Sequence, residues 1–183
     1  MQKTIVLLMI FVLLFSSCQC PSNDSLYTSI IETQDDGTVS YKISNKDGKL
    51  LATETNLPKE PQISTVSDRV VKVSLQAGTG LYTKWTYYID VISGEKSGYY
   101  YAVLGEYNDK VIYFKTSLTD SDAYIYIHNF FGGINNAQRI LLPNVSEAAE
   151  PIVEFSVDEY GNACVVYIKG SEFSKTKLEF KIN

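Results

Sequence analysis

Histidine and tryptophan occur once each in this chain, at His128 and Trp85, methionine twice, cysteine three times and proline five times. A lone histidine excludes the histidine-rich metal centres and leaves one place at most where a Ser–His–acid set could be built. The cysteines Cys18, Cys20 and Cys164 lack any metal-ligand spacing, and no cofactor is implied anywhere. No run of Lys or Arg occurs and the net charge is −5, which argues against nucleic acid as a partner. The longest apolar run, residues 5–15, is eleven residues, against the roughly 20 that a membrane-spanning helix needs. Apolar residues at helical spacing are also nearly missing, so a helical bundle is excluded.

What the amino terminus does contain reads as an export signal. Lys3 and the free amine precede the apolar run, and the small residues Ser16 and Ser17 follow it. The run Phe15-Ser16-Ser17-Cys18 resembles the bacterial lipoprotein box, in which cleavage leaves a cysteine that carries diacylglycerol. Residues 1–17 are therefore expected to be a signal peptide, Cys18 the lipidated first residue, and residues 18–37 a lipid anchor and tether. The expected location is the bacterial cell envelope, with the lipid rather than a span holding the chain to a membrane surface. Residues 38–183 are expected to form the folded domain. Lys3 is the only charge removed, so the mature chain carries −6. With Cys18 acylated, Cys20 and Cys164 are left. A bridge between them is disfavoured: Cys20 lies in the tether, and Cys164 alternates with Val166 and Ile168 on what reads as a buried face.

Fourteen tyrosines and many β-branched residues favour strands, and two-residue alternation is the dominant period. Val39, Tyr41 and Ile43 share one side of "TVSYKIS", and "NKDG" supplies a turn after it. Val71, Val73 and Leu75 share a side of "RVVKVSL". In "LYTKWTYYIDVIS", Leu81, Trp85, Tyr87, Ile89 and Val91 oppose Tyr82, Lys84, Tyr88 and Asp90. Continuing in this way gives about eleven strands, with "NVSEAAE" as at most one helical turn. The expected fold is all-β: a single antiparallel domain, either a barrel or a two-sheet sandwich. No recurring motif of the kind that marks propeller blades is present.

The segments "LQAGTGLY", "YIDVISGEKS", "IYIHNFFGG" and "PIVEFSVDEYGNACVVYIKG" together resemble a group of small bacterial proteins, often secreted or lipid-anchored, for which no activity is established. The resemblance implies an envelope location and carries no catalytic residue across. Gly78-Thr79-Gly80 reads as a strand connection, because a phosphate cradle would need a helix to follow. Asp120 and Asp122 in "TDSDA" read as a solvated loop without the ligands of a calcium site. Asp90 and Glu154 are the one carboxylate pair that could serve an envelope glycan hydrolase, although strands place polar residues on their solvent face in any case.

Tyrosine carries the remaining functional signal. Ile125 and Ile127 should face the core, which puts Tyr124, Tyr126 and His128 on the opposite side, and Tyr82 and Tyr88 oppose the apolar side of their own strand. Such rings offer apolar contact and a hydroxyl at low entropic cost, so these five residues are the candidate ligand-binding set. The expectation is an envelope domain that acts by binding a protein, as an inhibitor or immunity protein does, and not by catalysis. A glycan is the alternative ligand.

Overall fold

A computed structural model describes residues 26–78, 83–116, 122–148 and 150–183. The fold is all-β and antiparallel, with fourteen strands in four sheets among the described residues. β1 (Tyr27–Thr33), β2 (Val39–Asn45) and β3 (Leu50–Leu57) form sheet I. β4 (Gln62–Thr65), β5 (Val70–Gln76), β6 (Lys84–Asp90) and β7 (Tyr100–Tyr101) form sheet II. β8 (Val103–Tyr107), β9 (Lys110–Thr116), β10 (Ala123–Asn129) and β11 (Gln138–Leu142) form sheet III. β12 (Ile152–Val157), β13 (Asn162–Lys169) and β14 (Ser174–Lys181) form sheet IV.

Every sheet is a meander of consecutive strands, and three apolar clusters join the sheets in chain order. Val39, Tyr41 and Ile43 of sheet I meet Val71, Val73, Tyr87 and Ile89 of sheet II. The other face of sheet II, through Val70, Tyr88 and Tyr100, meets Val111 and Tyr113 of sheet III and Phe130. The remaining face of sheet III, through Ile112, Phe114, Ile125, Ile127 and Leu142, meets Ala163, Val165 and Tyr167 of sheet IV. Among the described residues this is a layered sandwich with no closed barrel, and it has four sheets where the sandwich alternative had two. The sheets succeed one another as blades do, without a sequence repeat, because stacking requires only apolar faces and not identical ones.

The extra strands have local explanations. β1 falls inside the expected tether of residues 18–37, so that boundary is corrected: the fold begins by Tyr27 at the latest. Its side chains are mostly exposed, so it carries little apolar alternation. β4 has four residues and one partly buried apolar side chain, Ile63. "YYYAVL" reads as one strand but is divided at Ala102, whose φ of 50° turns the chain from sheet II to sheet III. Ala102 still accepts a bond from the Phe114 N–H at 3.0 Å, which pins the crossover to β9. The turn at "NKDG" forms as read. Gly48 takes a φ of 77°, which its missing Cβ permits, and the Asn45 side chain accepts the Asp47 and Lys49 N–H groups at 3.1 and 2.9 Å. "NVSEAAE" gives a turn and a bridge from Val145 to Lys169 instead of a helical turn.

One parity is reversed. On β13 the buried side chains are Ala163, Val165 and Tyr167, while Cys164, Val166 and Ile168 lie half-buried on the outer face of sheet IV. Cys164 is a free thiol there. Both sides of this strand are apolar, so alternation alone could not choose between them.

Candidate ligand-binding cleft

The register of sheet III sets the site. Antiparallel partners share a face, and β9 and β10 pair Val111 with His128, Tyr113 with Tyr126, and Lys115 with Tyr124. β11 adds Arg139 opposite Tyr126 and Leu141 opposite Tyr124. The alternating pattern therefore gives this face a row of three tyrosines, one histidine and two cations. Sheet II covers part of the row, where Tyr100 packs on Tyr113 and His128 at centroid distances of 5.3 and 5.4 Å. Beyond that edge the row is open.

A cavity of about 590 Å³ lies at this boundary, lined by Tyr99, Tyr100, Tyr101, Tyr113, Lys115, His128, Gly132 and Ile134 among others. Its floor is fixed. Tyr100, Tyr113 and His128 are each under 9% exposed, and the Tyr100 hydroxyl donates to the Phe130 carbonyl at 2.8 Å. His128 Nδ1 lies 2.9 Å from the Asn129 carbonyl. A carbonyl only accepts, so Nδ1 carries the hydrogen of this bond, which fixes the ring's orientation. The rim is apolar and wet: Tyr99, Tyr101 and Ile134 are 57, 52 and 41% exposed. Burial, with Tyr100 and Tyr126 adding to it, pushes the Tyr113 phenol up to about 12 against the opposing pull of Arg139. The floor hydroxyls thus stay neutral donors through the physiological range.

Of the five candidate ligand-binding residues, Tyr124, Tyr126 and His128 share this face as expected, and His128 reaches the cavity wall. Tyr126 is half-buried, with Tyr113 stacked at 5.5 Å and Arg139 held 5.5 Å from its ring centroid. Tyr124 lies 6.2 Å from Tyr126, farther out on the row. Tyr88 does not belong to the site: it is fully buried, stacked 4.2 Å from Phe130, and donates its hydroxyl to Glu106 at 2.8 Å. Sheet II is covered on both faces, so opposing the first cluster means facing the second. Tyr82 and Cys18 lie outside the described residues, as does Asp120. The alternation in "KVIYFKT" and the triple tyrosine at residues 99–101 were the signals for Tyr113 and the rim. They gain meaning only once β7 is seen to cross beside β9.

The carboxylates do not assemble for catalysis. Asp90 accepts the Ile92 and Ser93 N–H groups at 2.9 and 3.0 Å and pairs with Arg69, so its lone pairs close a turn. Glu154 is exposed on β12, two sheets away. Among the described residues no three His, Cys, Asp or Glu side chains are grouped to hold a metal ion.

No protein-family model and no curated protein matches the chain. Among solved structures, a subtype N11 neuraminidase-like protein of A/flat-faced bat/Peru (H18N11) aligns with a TM-score of 0.30 and 9% identity. The alignment covers 84% of this chain and 56% of that one, and likeness at this level carries no functional argument.

Proposed function

We propose that this is a binding domain of the bacterial cell envelope, held to a membrane surface by lipid on Cys18, whose cleft on sheet III receives an anchor side chain of a protein partner. The observation that carries the reading is the cavity itself: a buried floor of Tyr100, Tyr113 and His128 beneath an exposed rim of Tyr99, Tyr101 and Ile134. Interface hot spots have this build, an apolar socket formed by aromatic residues that sheds water when filled. Arg139 and Lys115 beside it supply the polar margin. The ring faces also favour a protein over a sugar. Tyr126 is engaged by Tyr113 and Arg139, which leaves little free face for a pyranose to stack on.

Glycan capture is the second reading, favoured by a neighbouring cavity that shares His128 and Gly132 and is lined by Asn129, Asn136 and Gln138. Amide side chains of this kind bind hydroxyl groups well. The test is a pulldown from envelope extract in parallel with a glycan array, each repeated with Tyr99→Ala/Tyr101→Ala. Both rim residues are exposed, so the variant keeps its fold. A protein captured by wild type, with affinity lowered by about tenfold or more in the variant, supports the reading. Array hits alone, abolished by Tyr126→Ala, replace it with the glycan reading. For the anchor, wild type should partition into detergent and Cys18→Ser should not; equal partitioning refutes acylation.

A further inference from the structure

Among the described residues the four sheets present eight edges, and seven of them are short, bulged, rich in lysine or stopped by a proline, all features that discourage pairing with another chain. In sheet I, β3 is broken by two register shifts against β2. In sheet II, β4 has four residues and β7 has two. In sheet III, β8 is bulged between Val103 and Gly105, and β11 carries exposed Arg139 and stops before Pro143. In sheet IV, β12 is bulged after Pro151, and β14 presents Lys175, Lys177 and Lys181. β1 is the exception. It runs seven residues in unbroken register with β2, has no proline, lysine or bulge, and exposes Ile30 at 55% and Ile31 at 37%.

The hydrogen-bond phase of β1 follows from its hairpin. Gln34 N–H bonds to the Thr38 carbonyl at 2.7 Å, and bonded pairs alternate along an antiparallel ladder. Glu32, Ile30 and Thr28 therefore bond inward to β2, while Ser29, Ile31 and Thr33 turn their backbone groups to the open edge. A strand with this phase is complementary to itself. Place a second copy antiparallel, with the two-fold axis at Ile30. Ser29 then meets the second copy's Ile31, and Ile31 meets the second copy's Ser29, both as bonded pairs. The two Ile30 side chains face each other as a non-bonded pair, with Cα atoms about 4.5 Å apart, the closest side-chain approach in such a ladder. Glu32, the one charge on the strand, falls opposite Thr28 and never opposite another carboxylate.

We infer that β1 is a dimerisation edge: two copies of this chain join their first sheets through β1 into one continuous six-stranded sheet, with Ile30 on the two-fold axis. The pairing forms about four backbone hydrogen bonds at its centre and covers Ile30 and Ile31 from both copies. The cleft on sheet III takes no part and remains open in both copies.

The test uses the exported chain carrying Cys18→Ser, so that no acyl group contributes to association. Sedimentation equilibrium should give twice the chain mass. Ile30→Lys sets two like charges face to face on the axis and should raise the dissociation constant by roughly tenfold or more with an unchanged circular dichroism spectrum. Ser29→Pro removes an N–H that faces solvent in the single chain and a partner in the dimer, so it should also yield folded monomer. With all three native cysteines replaced by Ser, Ile30→Cys should oxidise to a covalent dimer, and Thr33→Cys, far from the axis, should not. A monomer at 100-fold above a micromolar concentration range, or a dimer that survives both Ile30→Lys and Ser29→Pro, overturns the inference.

Discussion

Replacing Asp90 with asparagine separates a structural carboxylate from a catalytic one. Asp90 is 4% exposed at the end of β6, and its carboxylate accepts the Ile92 and Ser93 N–H groups and the Arg69 guanidinium. Burial alone would raise its pKa; the bonds from Ser93, Arg69 and Ile92 and the Arg69 charge outweigh it and hold the carboxyl below the usual carboxylate value. Hydrogen bonds to a charged group contribute about 1.5–3 kcal/mol each where the group is buried. Asparagine keeps one acceptor oxygen but turns an amide toward Arg69, so a net loss of roughly 2 kcal/mol follows at neutral pH. For a domain of this size that lowers the melting temperature by about 4–8 °C. The pH dependence fixes the mechanism. A folded-state pKa below the unfolded one stabilises fully above the unfolded value, near 3.8, and the contribution is lost as pH falls through the folded value. Urea unfolding of both proteins should show the gap at pH 6 and its progressive loss as pH falls below 3.8. A gap that is equal at both pH values, or absent at pH 6, refutes the turn-closing role.

Two further measurements bear on the packing. Burial pushes Tyr87 up to about 12, a rise that the bond from Tyr41 only partly offsets, and Tyr113 is raised to the same level. For phenols raised on folding, stability is present below the unfolded pKa near 10 and declines above it, so absorbance at 295 nm should show a late fraction that appears only with unfolding. A single titration step near pH 10 in folded protein would refute the buried tyrosine layers. Cys164 lies half-exposed on the outer face of sheet IV, paired across the ladder with Ser156 and Glu179. In a Cys18→Ser/Cys20→Ser chain it should react with a disulfide reagent without denaturant; a requirement for urea would restore it to the interior.

The all-β class was legible because alternation is strong wherever one face is apolar and the other is wet. Val39, Tyr41 and Ile43, or Ile125 and Ile127, face a core as their spacing demands. The layer count was not legible, since a strand buried on both sides loses the contrast that marks it. Tyr87 and Tyr88 are neighbours on β6, and both are buried, in different clusters. Nothing local in "TYYID" says that a second sheet lies behind the first. The converse holds for β1, where exposure on both faces leaves a strand that reads as tether.

The site was half legible for the same reason. Parity on β10 placed Tyr124, Tyr126 and His128 together, because Ile125 and Ile127 supply the contrast locally. The cavity, however, is made by Tyr100 arriving from β7 and Tyr113 from the neighbouring strand, and that meeting depends on the crossover at Ala102. An l-residue held at a φ of 50° is strained by its Cβ, and no glycine flags the turn in the sequence. What holds it is tertiary: Ala102 is 1% exposed, packs in the cluster between sheets III and IV, and bonds to Phe114. In the folded chain the crossover out of sheet II is thus held by the packing of sheets III and IV around it. The cleft is a product of layer stacking, which is why its floor is buried while the residues that form it are scattered along the chain.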